Sequence, residues 1–333
     1  MVKKIVKKNI KKGGDFLGKG AYGCVYDAKT NLNNFELFKN LQQVAASSQV
    51  AESDLAAKLF TDKTEYEKER DDIKTILPII NHLNITPTYY GYIDNIVIPE
   101  NIIEGNIAKC ITNNDISIFQ AIIMEKCDKN LNDVDLQTDD FIQKLKTFID
   151  KLHKFHDLGY IHCDIKPDNI MINSNGNLVL IDLGFLLEKE HINDTTNIGF
   201  TPFYMSPIVM IHHKPANGLR QYRLQISNHK DFKSVKNALD TLINTTYAYS
   251  FDVFLDNIED LFIASTDKNI YNIIDLYSLV ISLQYISIQK NTIILNDIII
   301  GLLQKIVPVV QKPEVPINLY THYNNIDTSQ FGF

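Results

Sequence analysis

Arginine is nearly absent from this chain, and lysine supplies almost all of its positive charge. The arginines among the 333 residues are Arg70, Arg220 and Arg223. Few phosphate or carboxylate clamps can therefore form, because the planar guanidinium group is the side chain best suited to holding such groups through paired hydrogen bonds. The formal net charge is −7, which argues against a chain that binds nucleic acid through an overall positive charge.

Cysteine is also scarce. The four cysteines are too few for a disulfide scaffold and lack the spacing of a metal site: Cys24, Cys110, Cys127 and Cys163. We therefore expect reduced thiols and an intracellular, cytoplasmic location. The start of the sequence has no apolar run typical of a signal peptide, and no apolar segment is long enough to span a membrane. Lysines crowd residues 1–12, which predicts a basic, solvated tail.

Glycines recur at a short spacing in one segment, from Gly18 to Gly23. They allow the backbone to approach phosphate groups closely, because glycine has no Cβ. A dinucleotide-binding turn with this pattern would need a helix immediately after it. Val25 and Tyr26 instead continue as a strand, which favours a strand–turn–strand flap.

A second motif, of the form Asp-x-Lys-x-x-Asn, runs from Asp164 to Asn169. A carboxylate at Asp164 can accept a hydroxyl proton, Lys166 can neutralise charge on a transferring phosphoryl group, and Asn169 can hold Mg²⁺. Asp182 follows an apolar strand at 179–181 and has the chemistry of a second Mg²⁺ ligand. The two motifs together predict phosphoryl transfer.

The glycine loop, the Asp-x-Lys-x-x-Asn loop and Asp-Leu-Gly at 182–184 resemble the motif set of eukaryotic-type serine/threonine protein kinases. The resemblance covers roughly residues 15–285. It implies an α+β, bilobal protein kinase fold with a β-rich N-lobe and a mostly helical C-lobe. It also implies that ATP and Mg²⁺ bind in the cleft between the lobes. The form of the glycine loop is similar to that in divergent kinases of large DNA viruses, which would place the protein in a host cell or virion.

The resemblance also implies a domain organisation. The basic tail covers residues 1–12, and the N-lobe, with insertions, covers 13–125. The C-lobe covers 126–333 and carries an insertion around 208–270, where the sequence shows little clear periodicity.

Kinases of this family carry a lysine on a strand and a glutamate on the following helix, and two lysines are candidates here. Lys39 lies at the usual distance from the glycine loop. Lys58 follows Ala56, whose small side chain leaves room for an adenine ring, and precedes a segment with helical periodicity. Glu69 lies on that predicted helix, with Glu65 as the alternative. We favour Lys58 with Glu69, and Lys39 stays open.

By the same resemblance, Asp164 is the catalytic base. The catalytic residues would be Asp164, Lys166, Lys58 and Glu69, and the Mg²⁺ ligands would be Asn169 and Asp182. The residues expected to contact ATP are Leu17, Gly18, Lys19, Gly20, Ala21, Tyr22, Gly23, Cys24, Val25, Ala56, Lys58, Met124, Glu125, Cys127 and Met171. Met124 would stand at the back of the adenine pocket, where the backbones of Glu125 and Cys127 would pair with the adenine edge.

The sequence departs from the family pattern in four places. Cys163 replaces the arginine before the base, and Leu183 replaces the phenylalanine of Asp-Phe-Gly. Ile208 replaces a glutamate whose usual arginine partner is also absent. The stretch from Pro207 to Asp275 is unusually long. Asp275 itself resembles the aspartate that braces the backbone of the catalytic loop.

These features predict an ATP-dependent kinase that phosphorylates serine or threonine side chains of protein substrates. The segment 201–207 resembles the end of a protein kinase activation segment, which supports a protein acceptor. Two alternatives stay open. A pseudokinase scaffold would have lost the lysine, the base or a metal ligand, and a phosphotransferase for small molecules or lipids would lack the 201–207 segment. We expect ATP and a protein substrate as partners, with no nucleic acid and no membrane span.

Overall fold

The computed structural model describes residues 16–19, 23–27, 36–97, 118–136, 138–194 and 198–307. These residues belong to two units. The first unit falls within residues 1–77, 87–128 and 173–176, and the second within 78–86, 129–172 and 177–333. The main sheet belongs to the first unit and most helices to the second, which confirms the predicted α+β class with a β-rich first half and a helical second half.

In the described part of the first unit, an antiparallel sheet has five strands. Its strands are β1 (Phe16–Lys19), β2 (Gly23–Asp27), β3 (Leu55–Phe60), β4 (Tyr89–Val97) and β5 (Ile118–Glu125). The strand order is β1-β2-β3-β5-β4, so β3 lies at the centre. All six residues of β3 are buried, including Lys58. A central strand of this kind provides a rigid base for functional side chains.

Two helices accompany this sheet: α1 (Glu36–Ser48) and α2 (Lys63–Ile80). The Asp62 carboxylate begins α2 by accepting from the backbone N–H groups of Thr64 and Glu65, at 2.8 and 3.1 Å. The Tyr66 hydroxyl donates to Asp94 Oδ1 at 2.9 Å, which attaches α2 to β4. The sequence predicts insertions in the N-lobe without assigning a helix to them, and α1 is a helix that the structure adds there.

The described residues of the second unit contain seven α-helices. They are α3 (Asp139–Asp157), α4 (Pro207–His213), α5 (Gly218–Ser227), α6 (Phe232–Tyr247), α7 (Phe251–Ala264), α8 (Asn272–Gln289) and α9 (Asn296–Ile306). The Thr138 side chain caps α3 by accepting from Phe141 N–H at 3.2 Å. Nearly every residue of α8 is buried, so this helix forms the centre of the unit's core.

Short strands hold the loops of the second unit. They are β6 (Lys129–Asn130), β7 (Tyr160–Ile161), β8 (Ile170–Ile172), β9 (Leu178–Leu180) and β10 (Leu187–Glu188). Strands β6, β8 and β9 pair in that order, and β7 pairs with β10. The loop at 162–169 is therefore held at both ends, by β7 before it and β8 after it.

The predicted insertion at 208–270 is largely helical, as α4 to α7. The expectation of little periodicity is wrong here, because the buried residues of α7 recur at helical spacing: Phe251, Phe254, Leu255 and Ile258. The Ser250 side chain caps the same helix by accepting from Val253 N–H at 3.3 Å. Among the helices that the structure describes, none combines the length and the apolar character that crossing a membrane requires.

Candidate active site

Four of the predicted ATP-contacting residues share one face of the first unit's sheet. Val25 is paired with Lys58 across β2 and β3, and Ala56 is paired with Met124 across β3 and β5. Directly paired residues point to the same face, and so do residues two apart on a strand. The sheet therefore brings together Val25, Ala56, Lys58 and Met124.

Lys58 forms a buried ion pair with Glu69 of α2. Its ammonium nitrogen lies 2.8 Å from Oε1 and 2.7 Å from Oε2 of the carboxylate. Both residues are almost fully buried, at 6% and 3% exposure. Lys39, the alternative, lies in helix α1 and not in a strand. Glu65, the alternative glutamate, lies in the first turn of α2, where its N–H donates to the capping carboxylate of Asp62.

The glycine segment joins two paired strands. Gly18 is paired with Val25 and Lys19 with Cys24, and Leu17 lies at an irregularity of β1. Gly23 begins β2, so a strand follows the glycines as predicted. Gly20, Ala21 and Tyr22 lie outside the described residues.

Glu125, at the end of β5, forms hydrogen bonds through both its backbone and its side chain. Its N–H donates to Thr88 O at 2.7 Å, so a contact of its backbone with a nucleotide base would have to use its carbonyl oxygen. Its buried carboxylate accepts from Thr88 N–H at 3.2 Å and from the Ser174 hydroxyl at 2.5 Å. The family resemblance implies only a backbone role for Glu125, so these side-chain contacts are an addition.

The cysteines differ in state. Cys127, just beyond β5, carries a free thiol, and burial followed by the charges of Glu125 and Asp128 raises its pKa to about 12. Cys24 is disulfide-bonded, so the expectation of reduced thiols throughout the chain does not hold at this residue.

In the second unit, Asp164 lies at the centre of a small polar cluster. Its Oδ2 accepts from the Lys166 ammonium group at 2.5 Å and from Asn169 Nδ2 at 2.9 Å. Its Oδ1 accepts from the Thr201 hydroxyl at 2.5 Å, and Lys166 also donates to that hydroxyl at 3.0 Å. Loop 162–169 and the 201–207 segment therefore meet at one carboxylate.

Asp275 braces the loop that carries Asp164, as the resemblance implied. Its two oxygens accept from the backbone N–H groups of His162 and Cys163, at 2.8 and 2.9 Å. His156 Nε2 donates to the same carboxylate at 2.9 Å. Burial raises the pKa of Asp275, but the hydrogen bond and the charge of His156, with smaller contributions from His162, outweigh it, so the net shift is downward. The aspartate is therefore held ionised.

Asn169 and Asp182 have the chemistry of a magnesium site. Asn169 Nδ2 donates to both the carbonyl and the carboxylate of Asp164, so the amide oxygen of Asn169 points away from that residue. Ile181 N–H donates to Asn169 O at 3.0 Å, which attaches the chain beside Asp182 to this loop. Asp182 has a left-handed backbone, with φ of 64°. An amide oxygen and a carboxylate are hard oxygen donors, so the residues fit Mg²⁺.

Three residues that depart from the kinase pattern, Cys163, Leu183 and Ile208, are buried side chains without a charge. Cys163 is buried with φ of 66°, and burial, together with Asp275 and Asp164, raises the pKa of its thiol well above the ordinary value. Leu183 and Ile208 are fully buried apolar side chains. Met171 lies half-buried in β8, paired with Val179.

Comparison with known proteins identifies the family. The model of the protein kinase domain matches residues 12–219, more than half of the chain, and the chain therefore belongs to the protein kinase domain family. It is 27% identical over 217 residues to the serine/threonine-protein kinase SKS1 of Saccharomyces cerevisiae, covering 57% of this chain and 42% of that protein. It is 28% identical over 206 residues to mitogen-activated protein kinase kinase kinase 19 of Mus musculus, covering 59% of this chain and 13% of that protein.

This chain therefore spans less than half the length of either relative. Among solved structures, the crystal structure of the yeast RNA Pol II CTD kinase CTDK-1 complex is 20% identical over 47% of each chain, with a TM-score of 0.34.

Proposed function

We propose that this chain is an ATP-dependent protein kinase that transfers the γ-phosphoryl group to serine or threonine hydroxyls of protein substrates. The observation that carries the proposal is the cluster at Asp164, where a carboxylate, an ammonium group and a threonine hydroxyl lie within hydrogen-bonding distance of one another. A base, a cation and an alcohol are the groups that transfer to a hydroxyl requires.

Asp164 would orient the acceptor hydroxyl and accept its proton. The bond from the Thr201 hydroxyl to Oδ1 supports this role, because an alcohol of the same type already donates to that oxygen. Lys166 is bonded to the other carboxylate oxygen, and its positive charge would favour the negative charge that develops on the transferred group. Asp275 and His156 hold the backbone of the loop in place.

Lys58 would hold the phosphates of ATP, with its ammonium group directed by Glu69. The residues of the first unit's sheet face, with the glycine segment and the backbone at Glu125 and Cys127, would bind the rest of the nucleotide. Asn169 and Asp182 would hold Mg²⁺, which when bound neutralises charge on the phosphates. These assignments follow the kinase pattern residue by residue.

The kinase is favoured over the two alternatives by specific residues. A pseudokinase would have lost a catalytic group, whereas Lys58, Asp164, Asn169 and Asp182 are all present. A lipid or small-molecule phosphotransferase would lack the 201–207 segment, whose Thr201 contacts Asp164 here. Family membership supports the protein acceptor as well.

The test is transfer of label from [γ-³²P]ATP, with Mg²⁺, to a panel of protein, lipid and sugar acceptors. We expect labelled serine or threonine in a protein acceptor and a loss of labelling in Asp164→Asn. Asp140→Asn is a matched control, because it removes the same charge from a side chain that is 73% exposed on α3. Labelling of only lipid or sugar, or equal labelling by Asp164→Asn, would refute the proposal.

A further inference from the structure

A lysine side chain is buried just after β10, in the chain that follows Asp182. Lys189 is only 4% exposed, and its ammonium group donates to His156 O at 2.5 Å and to Asn269 Oδ1 at 2.9 Å. Its backbone N–H donates to Gly159 O at 2.8 Å. Burial of an ammonium group is costly unless its donors are satisfied, so these contacts hold the lysine in one place.

The next residue, Glu190, makes a second contact with the same segment, at the surface. The Glu190 carboxylate bonds to the ammonium group of Lys268, the residue directly before Asn269. Two consecutive residues after β10 are therefore tied to two consecutive residues before α8. The outer pair is exposed and screened by water, so most of the constraint comes from Lys189.

The buried attachment leads to the catalytic loop. Lys189 bonds the backbone carbonyl of His156, whose ring donates to Asp275. Asp275 in turn accepts from the backbone N–H groups of His162 and Cys163, which directly precede Asp164. Strand β10, which ends one residue before Lys189, also pairs with β7, the strand that enters the same loop.

We propose that Lys189 is a positioning residue for phosphoryl transfer. It holds the chain after Asp182 against the end of α3 and the turn before α8, and it acts on Asp164 through His156 and Asp275. The inference rests on the proposed kinase function for its effect on turnover. The inference that Lys189 anchors both loop 162–169 and the chain after β10 does not depend on that function.

The test compares Lys189→Met, which keeps the length of the side chain but removes its donors, with Lys236→Met. Lys236 is a matched control because it pairs with Asp252 at the surface of α6, far along the chain from these loops. We expect Lys189→Met to lower kcat by about 10- to 100-fold, since small displacements of catalytic groups have effects of this size. The KM for ATP should stay within about twofold, because Lys189 lies outside the predicted nucleotide contacts.

Backbone hydrogen exchange provides the second measurement. Lys189→Met should exchange faster at residues 160–166 and 183–192, with exchange in α6 unchanged, which a general loss of stability would not produce. Asn269→Ala removes one acceptor and leaves the bond to His156, so it should give a smaller effect in the same direction if Lys189→Met fails to fold.

If Lys189→Met and Asn269→Ala both keep the kcat and the hydrogen exchange of the wild type, the inference is overturned. Equal effects from Lys236→Met would also overturn it, because the response would then not depend on the buried anchor. A chain that transfers no phosphoryl group in any variant would refute the proposed function, whereas the exchange measurement would still decide whether Lys189 anchors the two loops.

Discussion

The ion pair between Lys58 and Glu69 allows a quantitative test of the first unit. Both side chains are buried, and the ammonium nitrogen contacts both carboxylate oxygens. Replacement of Lys58 by methionine keeps the length of the side chain but removes the ammonium group from a carboxylate with 3% exposure. Removal of one partner of a buried pair costs about 3–5 kcal/mol. We expect the free energy of unfolding of Lys58→Met to fall by this amount.

The double variant Lys58→Met with Glu69→Leu should recover most of that loss. Replacement of a whole buried ion pair by apolar side chains is often neutral, because the desolvation cost of both charges disappears with their attraction. Urea unfolding of the wild type, the two single variants and the double variant gives the coupling free energy directly. Lys63→Met is the matched control, because its side chain is 72% exposed and its contact with Glu67 is 3.6 Å long.

Turnover separates the two candidate lysines. Lys58→Met should lose phosphotransfer by about 100-fold or more even where the protein is folded, because the phosphates would no longer be held in line. Lys39→Met should keep near-normal turnover, since Lys39 lies in helix α1. Lys58→Met as stable as the wild type, or Lys39→Met with the greater loss of turnover, would show that the assignment is wrong.

The remaining predictions concern the second unit. Asp164→Asn and Asp182→Asn should each lower kcat by about 10²- to 10⁴-fold in protein that is still folded. Gly218→Ala should lower the free energy of unfolding by about 1–3 kcal/mol in urea, because its Cβ would lie 2.4 Å from Met210 O. The pKa of Asp275 is lowered from 3.8, so its stabilisation is present above pH 3.8 and is lost as the pH falls through the lowered value; Asp275→Asn should flatten this acid dependence in pH-dependent unfolding. Turnover of the purified protein should be unchanged after phosphatase treatment.

Each of these has a contradicting result. Normal turnover in folded Asp164→Asn or Asp182→Asn would remove the proposed roles of base and metal ligand. Wild-type stability of Gly218→Ala would mean that α4 and α5 separate without cost. An acid dependence identical to that of the wild type in Asp275→Asn would show that this carboxylate does not titrate differently on unfolding. A large loss of turnover on dephosphorylation, restored by rephosphorylation, would show that a phosphate orders the site.

The sequence was most informative where a function constrains residues close together in the chain. The loop from Asp164 to Asn169 could be predicted because its functional groups lie on a few consecutive residues. In the structure, Asn169 Nδ2 lies 2.9 Å from Asp164 Oδ2. Lys58 was favoured over Lys39 by the small residue two positions before it, and the structure has Lys58 in a strand. The pairing of Ala56 with Met124 follows from strand register, which the sequence did not indicate.

Contacts between distant residues could not be predicted in the same way. Helix α1 belongs to an insertion in the N-lobe, so the family pattern gives no expectation of a helix there. The helices of 208–270 lie outside the motifs of the family, so only their apolar spacing could predict them. Lys189 resembles any surface lysine in the sequence, because its acceptors lie 33 and 80 residues away in the chain.

Two features of the chain around Asp164 bear on whether activity needs phosphorylation: no arginine precedes the catalytic base, and Lys189 is buried. Cys163 has a buried thiol with a raised pKa, so it is neutral and cannot hold a phosphate through charge. A phosphate clamp at this position would therefore lack its main cation. Lys189 is a cation in the chain after Asp182, but its ammonium group is already bonded to His156 O and Asn269 Oδ1. The chain after Asp182 is thus held by side-chain contacts present as soon as the protein folds, which is the physical reason to expect turnover that does not depend on phosphorylation.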